Sequence, residues 1–260
     1  MTIRTAVAAI ATAFASPAAA DVTASYVNPK GIETVVEVND AGFARIGTTR
    51  REEGEGPPDF SIFRPDGDFF VFYDDDKMKV VGWDVFEYVI DRSMLGTDPP
   101  RPMTKAEKAR AASKVPPPPV VGQTMLEGRA ATVHRGTASW GWQRHHWIAI
   151  SSDPKLKPLA GAFSRFFRSR YEFFDDRHKE ADPHLHELDK LMAMGAPLEF
   201  GNLQLVSVKF DKIDDGRFKL PATPLTAAEY QAIVGYVGIG PASPGARIRK
   251  PGEGEPKSQR

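Results

Sequence analysis

The chain has 260 residues, 41% hydrophobic and 26% charged, enough for one sizeable domain or two small ones. Its 34 basic and 34 acidic side chains cancel, so it lacks the long-range field that draws a protein to nucleic acid or anionic membrane. With no cysteine, it has no disulfide, thiolate nucleophile, cysteine zinc site, iron–sulfur cluster or cysteine-linked lipid anchor.

Residues 1–20 read "MTIRTAVAAIATAFASPAAA". Arg4 forms a short positive region, residues 5–15 are small and uncharged, and Ala18-Ala19-Ala20 fits a small-residue cleavage rule. The reading is a secretory signal removed before Asp21, in the style of a bacterial periplasmic protein. The apolar run is too short and Ala-rich to serve well as a membrane anchor. No later stretch is apolar enough for a transmembrane helix.

From Asp21 to Asp91 the composition predicts short strands. "IETVVEV" (32–38) is β-branched and bounded by Gly31 and Asn39-Asp40; "FSIFR" (60–64) runs into a Pro65-Asp66-Gly67 turn; "DFFVFY" (68–73) ends at three aspartates. "MKVVGWDVFEYVI" (78–90) is read as one bent strand or two. Aromatic residues at both parities of "FFVFY" predict burial on both faces there.

Residues 92–119 are rich in Pro, Lys, Arg and Ala. They predict an exposed insertion with a short helix in "TKAEKARAAS", capped by Thr104 with Glu107 three residues on, then polyproline at 116–119. A domain boundary is the other reading, but strand chemistry resumes at once. "VVGQTMLEGRAATVHRG" (120–136) and "SWGWQRHHWIAI" (139–150) predict further hairpin strands.

Asp153-Pro154 is an N-cap followed by Pro at its preferred first position. Leu156, Leu159, Ala160, Phe163, Phe167, Tyr171 and Phe174 then form an apolar stripe at helical spacing. A second helix opens at Asp182-Pro183 and closes at Gly195. "PLEF" (197–200), the alternating "LQLVSVKF" (203–210) and "RFKLPA" (217–222) predict three last strands, with a turn at Asp214-Asp215-Gly216. Thr226 caps a small helix through Val234, and residues 236–260 read as a disordered tail.

The signal, "RPDGDFFVFYDDDKMKVV", "WIAIS" leading into an Asp-Pro helix start, "MGAPLEF", "LVSVKFDKID" and "RFKLPA" together resemble the periplasmic lipoprotein-carrier superfamily, the half-barrel fold of the outer-membrane lipoprotein-sorting protein. A closer likeness is to exported relatives of that fold. The likeness covers roughly residues 22–222 without the insertion. It implies an α+β fold in which a strongly curved antiparallel sheet, a half-barrel, wraps around helices as a single domain over 21–235. It also implies a greasy concave face that carries acyl chains or lipoproteins and no catalytic residues. The proline-rich insertion and the added C-terminal helix and tail depart from the carrier pattern.

Three kinds of site were weighed. The aromatic residues Phe72, Trp83, Phe86, Trp140, Trp142, Phe163 and Phe167 are the candidate ligand-binding set, able to line an apolar cavity or simply to fill a sheet-to-helix core. His178, His184 and His186 lie among carboxylates in "DDRHKEADPHLHELD" (175–189), but His184 and His186 are two apart on a helix, so a solvated polar face is the better reading than a metal site. Adjacent histidines in "RHHW" would point to opposite faces of a strand. No nucleophile elbow, zinc-protease, phosphate-loop or dinucleotide signature occurs. The expectation is a non-enzymatic, cofactor-free envelope protein that binds a lipid, acyl chain or apolar peptide. The alternative is an interaction protein with a filled core and a protein partner. N-terminal sequencing of the exported protein should begin at Asp21; an intact Met1 on the soluble protein would overturn the export reading.

Overall fold

The computed structural model describes residues 21–50, 58–74, 77–95, 104–136, 147–171 and 183–234. Trp140, Trp142, His178 and Asp182 lie outside these, as do the signal segment and the tail.

Eleven described strands form one antiparallel sheet. They are β1 (Val22–Val27), β2 (Glu33–Val38), β3 (Ala44–Thr48), β4 (Phe60–Arg64), β5 (Gly67–Asp74), β6 (Lys77–Gly82), β7 (Val120–Leu126), β8 (Arg129–Arg135), β9 (Trp147–Ser151), β10 (Ala196–Phe200) and β11 (Leu203–Lys209). The order is β6-β5-β4-β3-β2-β1-β11-β10-β9-β8-β7. The chain therefore winds outward from the centre through β6, crosses to the far edge, and winds back inward until β11 pairs with β1. Five α-helices among the described residues accompany the sheet: α1 (Trp83–Leu95), α2 (Lys105–Ser113), α3 (Lys157–Tyr171), α4 (Pro183–Met194) and α5 (Ala227–Val234).

The main core lies between the sheet and α1, α3, α4 and α5. It includes Val22, Ala24 and Tyr26 of β1, Val36 of β2, Ile46 of β3, Leu205 of β11, and Leu159 and Phe163 of α3. A smaller cluster on the other face joins Ile62, Val71 and Val80 with Phe60, Phe69, Leu220 and Ala222. The two clusters account for the double parity of "FFVFY": Phe70 and Phe72 face one, Phe69 and Val71 the other.

The structure corrects four readings. "WDVFEYVI" is the start of α1, not a strand. Trp83, Phe86 and Val89 are buried and Asp84 and Tyr88 exposed, a spacing of three to four that outweighs the β-branched and aromatic content. "RFKLPA" is not a strand either. Its start is a 3₁₀ turn, Asp215–Phe218, capped by Asp214. β11 already has β1 and β10 as neighbours, so the chain leaving it meets no free edge and folds over the back of the sheet. There Phe218 packs on Phe43, with ring centroids 6.1 Å apart, and Arg217 donates twice to Glu37 at 3.0 and 2.8 Å.

The polar face of α4 is only partly solvated: His184, Asp189 and Lys190 are half-buried but His186 and Glu187 are buried, because α4 packs against α2, α3 and β9. The segment read as an exposed insertion is anchored at its end. α2 has its full capping box between Thr104 and Glu107 and buries no residue, but Val115 is buried, its carbonyl accepts Lys190 Nζ, and the Pro118 carbonyl lies 3.2 Å from His134 Nδ1.

The sequence's start and stop signals otherwise hold. Asp153 accepts the amide of Lys155 ahead of α3, and Thr226 and Glu229 form a second capping box at α5. Gly195 ends α4 where a Cβ would collide with the Ser151 carbonyl oxygen, so only glycine lets the chain turn this close to β9.

At the centre, the buried Tyr26 hydroxyl reaches past β11 and donates to the Pro197 carbonyl at 2.8 Å. Burial pushes this phenol's pKa up, so it stays a donor. Tyr26→Phe leaves that carbonyl without its partner and should cost about 1–2 kcal/mol in urea denaturation. An unchanged midpoint would mean another donor serves Pro197.

Candidate functional site

Sequence reasoning placed the site among seven aromatic residues. The structure divides five of them between two packed clusters. Phe70, Phe72, Trp83, Phe86 and Tyr230 meet where β5, α1 and α5 converge. Ring centroids there are 5.2 Å apart for Phe70–Trp83, 5.0 Å for Trp83–Phe86, 5.8 Å for Phe72–Tyr230 and 5.5 Å for Phe86–Tyr230. Tyr26, Phe163, Phe167 and Phe200 form the second cluster under α3, at 5.0, 5.7 and 4.4 Å along the series. Most of these contacts are edge-on or tilted and Phe163–Phe167 is stacked, arrangements that aromatic rings adopt in a core.

Phe163 is 0% exposed, Trp83 4% and Phe86 8%, so these three side chains are covered by protein. Phe72 and Phe167 are half-buried. Among the described residues Trp83 Nε1 has no hydrogen-bond partner, so packing is what holds the ring there.

A groove lies at a different place in the sheet. An open groove of about 520 Å³ lies at the β7–β9 end of the sheet, within the range of small-molecule sites. Met125, Ala130, Ala131 and Ile150 give it apolar walls; Gln123, Thr124, Thr132 and Ser152 add hydrogen-bonding groups. None of the five described residues of the predicted set is among its lining residues.

Local chemistry explains its shape. β7 and β8 join through Glu127-Gly128, whose φ values of 48° and 70° are the positive pair that a tight two-residue hairpin needs. Leu126 therefore pairs directly with Arg129, Met125 with Ala130 and Thr124 with Ala131. The turn is tied to the entry of α3 by Arg129, which donates to Asp153 at 2.8 Å and sits over the Phe210 ring at 5.7 Å. Ala130, exposed on β8 opposite Met125, leaves unfilled the space that a larger strand residue would occupy, while Ala131 faces the core on the other side of the sheet. That small exposed residue, in a chain otherwise heavy with strand aromatics, is the signal the sequence offered.

Around the groove, Val120 and Met125 are each 63% exposed, Val121 46% and Trp147 45%. No helix among the described residues makes an extended contact with β7 or β8.

The described histidines do not converge. His134 is buried against Pro118, while His186 is buried on α4 with Nε2 unpartnered. Among the described residues, no group of three or more His, Asp or Glu side chains is placed to hold a metal, and no helix is long and apolar enough to cross a membrane. The chain matches no family model, no curated protein and no solved structure.

Because Phe163 is wholly enclosed, Phe163→Ala should cost the roughly 3–5 kcal/mol of a full core phenylalanine. Denaturant unfolding checks this; a loss near 1 kcal/mol would mean the site under α3 is already partly open.

Proposed function

We propose that this is an exported, non-catalytic binding protein of the cell envelope that holds an apolar chain, such as a fatty acyl group, in the groove at the β7–β9 end of its sheet. The groove carries the reading: it is open, of ligand size, apolar along Met125, Ala130, Ala131 and Ile150, and supplied with hydroxyl and amide groups for a polar head. An acyl chain bound there gains by area, at roughly 25 cal/mol per Å² of apolar surface covered, with little demand for specific contacts.

The wider reading is a carrier-type half-barrel. It is supported by the unbroken antiparallel order of the strands and by helices packed on one face. Register shifts at Ser25/Tyr26, Pro197/Glu199 and Val120/Gly122 favour curvature, because each bulge bends its strand and increases local twist. The aromatic set then serves mainly as the packed floor, with half-buried Phe72 and Phe167 as its accessible members.

A second reading, an interaction protein with a filled core, draws on the enclosure of Phe163 and Trp83 and on the anchoring of the proline segment through Val115 and Pro118. A fluorescent fatty acid separates the two. The protein should bind it with a blue shift. Ala130→Trp, which fills the groove from an exposed strand position, should weaken binding at least about tenfold, equivalent to roughly 1.4 kcal/mol. No binding, together with no lipid released from the purified exported protein in native mass spectrometry, would leave the filled-core reading.

A further inference from the structure

The two edges of the sheet are treated differently. β6 carries Lys77 and Lys79, and it is capped where the Leu225 amide donates to the Val80 carbonyl at 2.8 Å and Leu225 bridges Val81. Lysines and a covering segment are the usual protections of an edge strand.

β7 has neither. From Val115 through Leu126 the sequence "VPPPPVVGQTML" carries no charge. The only ladder of β7 among the described residues is with β8, so its outer row of amides and carbonyls is open. Val120, Val121 and Met125 are exposed along it.

The sequence of β7 is also self-complementary. A two-fold axis at Gln123 sets Gly122 against Thr124, Val121 against Met125 and Val120 against Leu126, with the two Gln123 amides facing each other. Apolar meets apolar at both ends, and the one strongly polar side chain meets its own copy, where two amides can hydrogen-bond. A charged residue on such an edge would repel its two-fold mate; this strand has none. The shift between Val120 and Gly122 bends that end of β7, so the Gly122–Thr124 and Gln123–Gln123 pairs are the regular ones and the outer apolar residues meet beside them.

We infer that β7 is the dimerisation edge of this protein: two copies pair β7 to β7, antiparallel about Gln123, into one continuous sheet. The partner strand would also wall the open side of the groove, since Gln123, Thr124 and Met125 line it. The inference does not rest on the proposed ligand, because it is read by mass and by cross-linking.

Sedimentation of the protein at tens of micromolar should give a dimer. Gln123→Lys and Gln123→Glu, both at an exposed position, should each give monomers. Mixing the two variants should restore dimers through Lys–Glu pairing. In a chain with no cysteine, Gln123→Cys should cross-link to covalent dimers under mild oxidation, because antiparallel partners sit within disulfide range. Val206→Cys, exposed on β11, should not. A monomeric protein overturns the inference, whether or not it binds an extended apolar peptide along β7. So does a dimer that Gln123→Lys leaves intact.

Discussion

The pairing of β1 with β11 holds this architecture together. It joins the first described strand to the last, from Thr23–Lys209 to Val27–Gln204, and each half of the sheet hangs from one side of it. Closing a loop of nearly two hundred residues costs roughly 5 kcal/mol in chain entropy by logarithmic scaling, so the seam must be well bonded. It is clamped at both ends. Tyr26 spans β11 to reach Pro197, and buried Asp21 accepts the amides of Asp40 at 2.8 Å and Ile213 at 2.7 Å. Burial raises the Asp21 carboxyl pKa, but those two amides and the Lys212 ammonium outweigh it and hold the group below its ordinary value. One carboxylate thus ties together the start of β1, the β2–β3 turn and the exit from β11. With its folded pKa depressed, that contribution is full above the ordinary carboxylate range and fades as pH falls through the depressed value.

Since the seam occupies both sides of β11, it dictates where the following chain goes. Residues 213–222 have no ladder to join and instead cover the back of the sheet, from the β2–β3 end, where Phe218 meets Phe43, to β4–β6, where Leu220 and Ala222 pack on Ile62, Val71 and Val80. Ile213 and Phe218 are buried there, and Arg217 joins Glu37, which also takes Arg45 at 3.1 Å. Arg45 in turn lies over the Phe60 ring at 4.1 Å. The sheet is two-sided at this end for that reason.

Much of this was legible in the sequence, and what was not has physical causes. Strands bounded by Asn-Asp, Pro-Asp-Gly and Asp-rich turns announced themselves, as did helices opened by Asp-Pro or by Thr with Glu three residues on. Each such signal is local and satisfies backbone groups within a few residues. The errors concern competition between distant segments. The start of α1 has strand-like composition, and only the burial of Trp83, Phe86 and Val89 on one face reveals a helix. The alternation in "RFKLPA" suits a strand, but the edge it would need is filled by β1. His186 and Glu187 look like solvated polar residues until α2 and the proline segment close over α4. The aromatic residues were legible as a group but not as a role, because the same rings that could line a cavity also suit a core.

The position of the groove follows from the length of the helices. α3 has 15 residues and spans roughly 22 Å at 1.5 Å per residue. It contacts β10, β1, β2, β3 and β4, a run of strands that at about 4.8 Å spacing covers roughly 24 Å. α3 therefore lies across the strands and is used up by β4. α1 takes β5 and β6, with α5 packed on α1, and α4 takes β9. α2 buries no residue and adds nothing to the layer. Among the described residues the helices run out before the sheet does, and the strand left bare is β7, which buries no residue, while β8 keeps only Ala131 and His134 buried. A small exposed residue on β8, Ala130, and an uncharged outer edge on β7 occur at that same end. A groove and an unpaired strand edge are therefore two results of one mismatch, a sheet wider than the described helices that cover it.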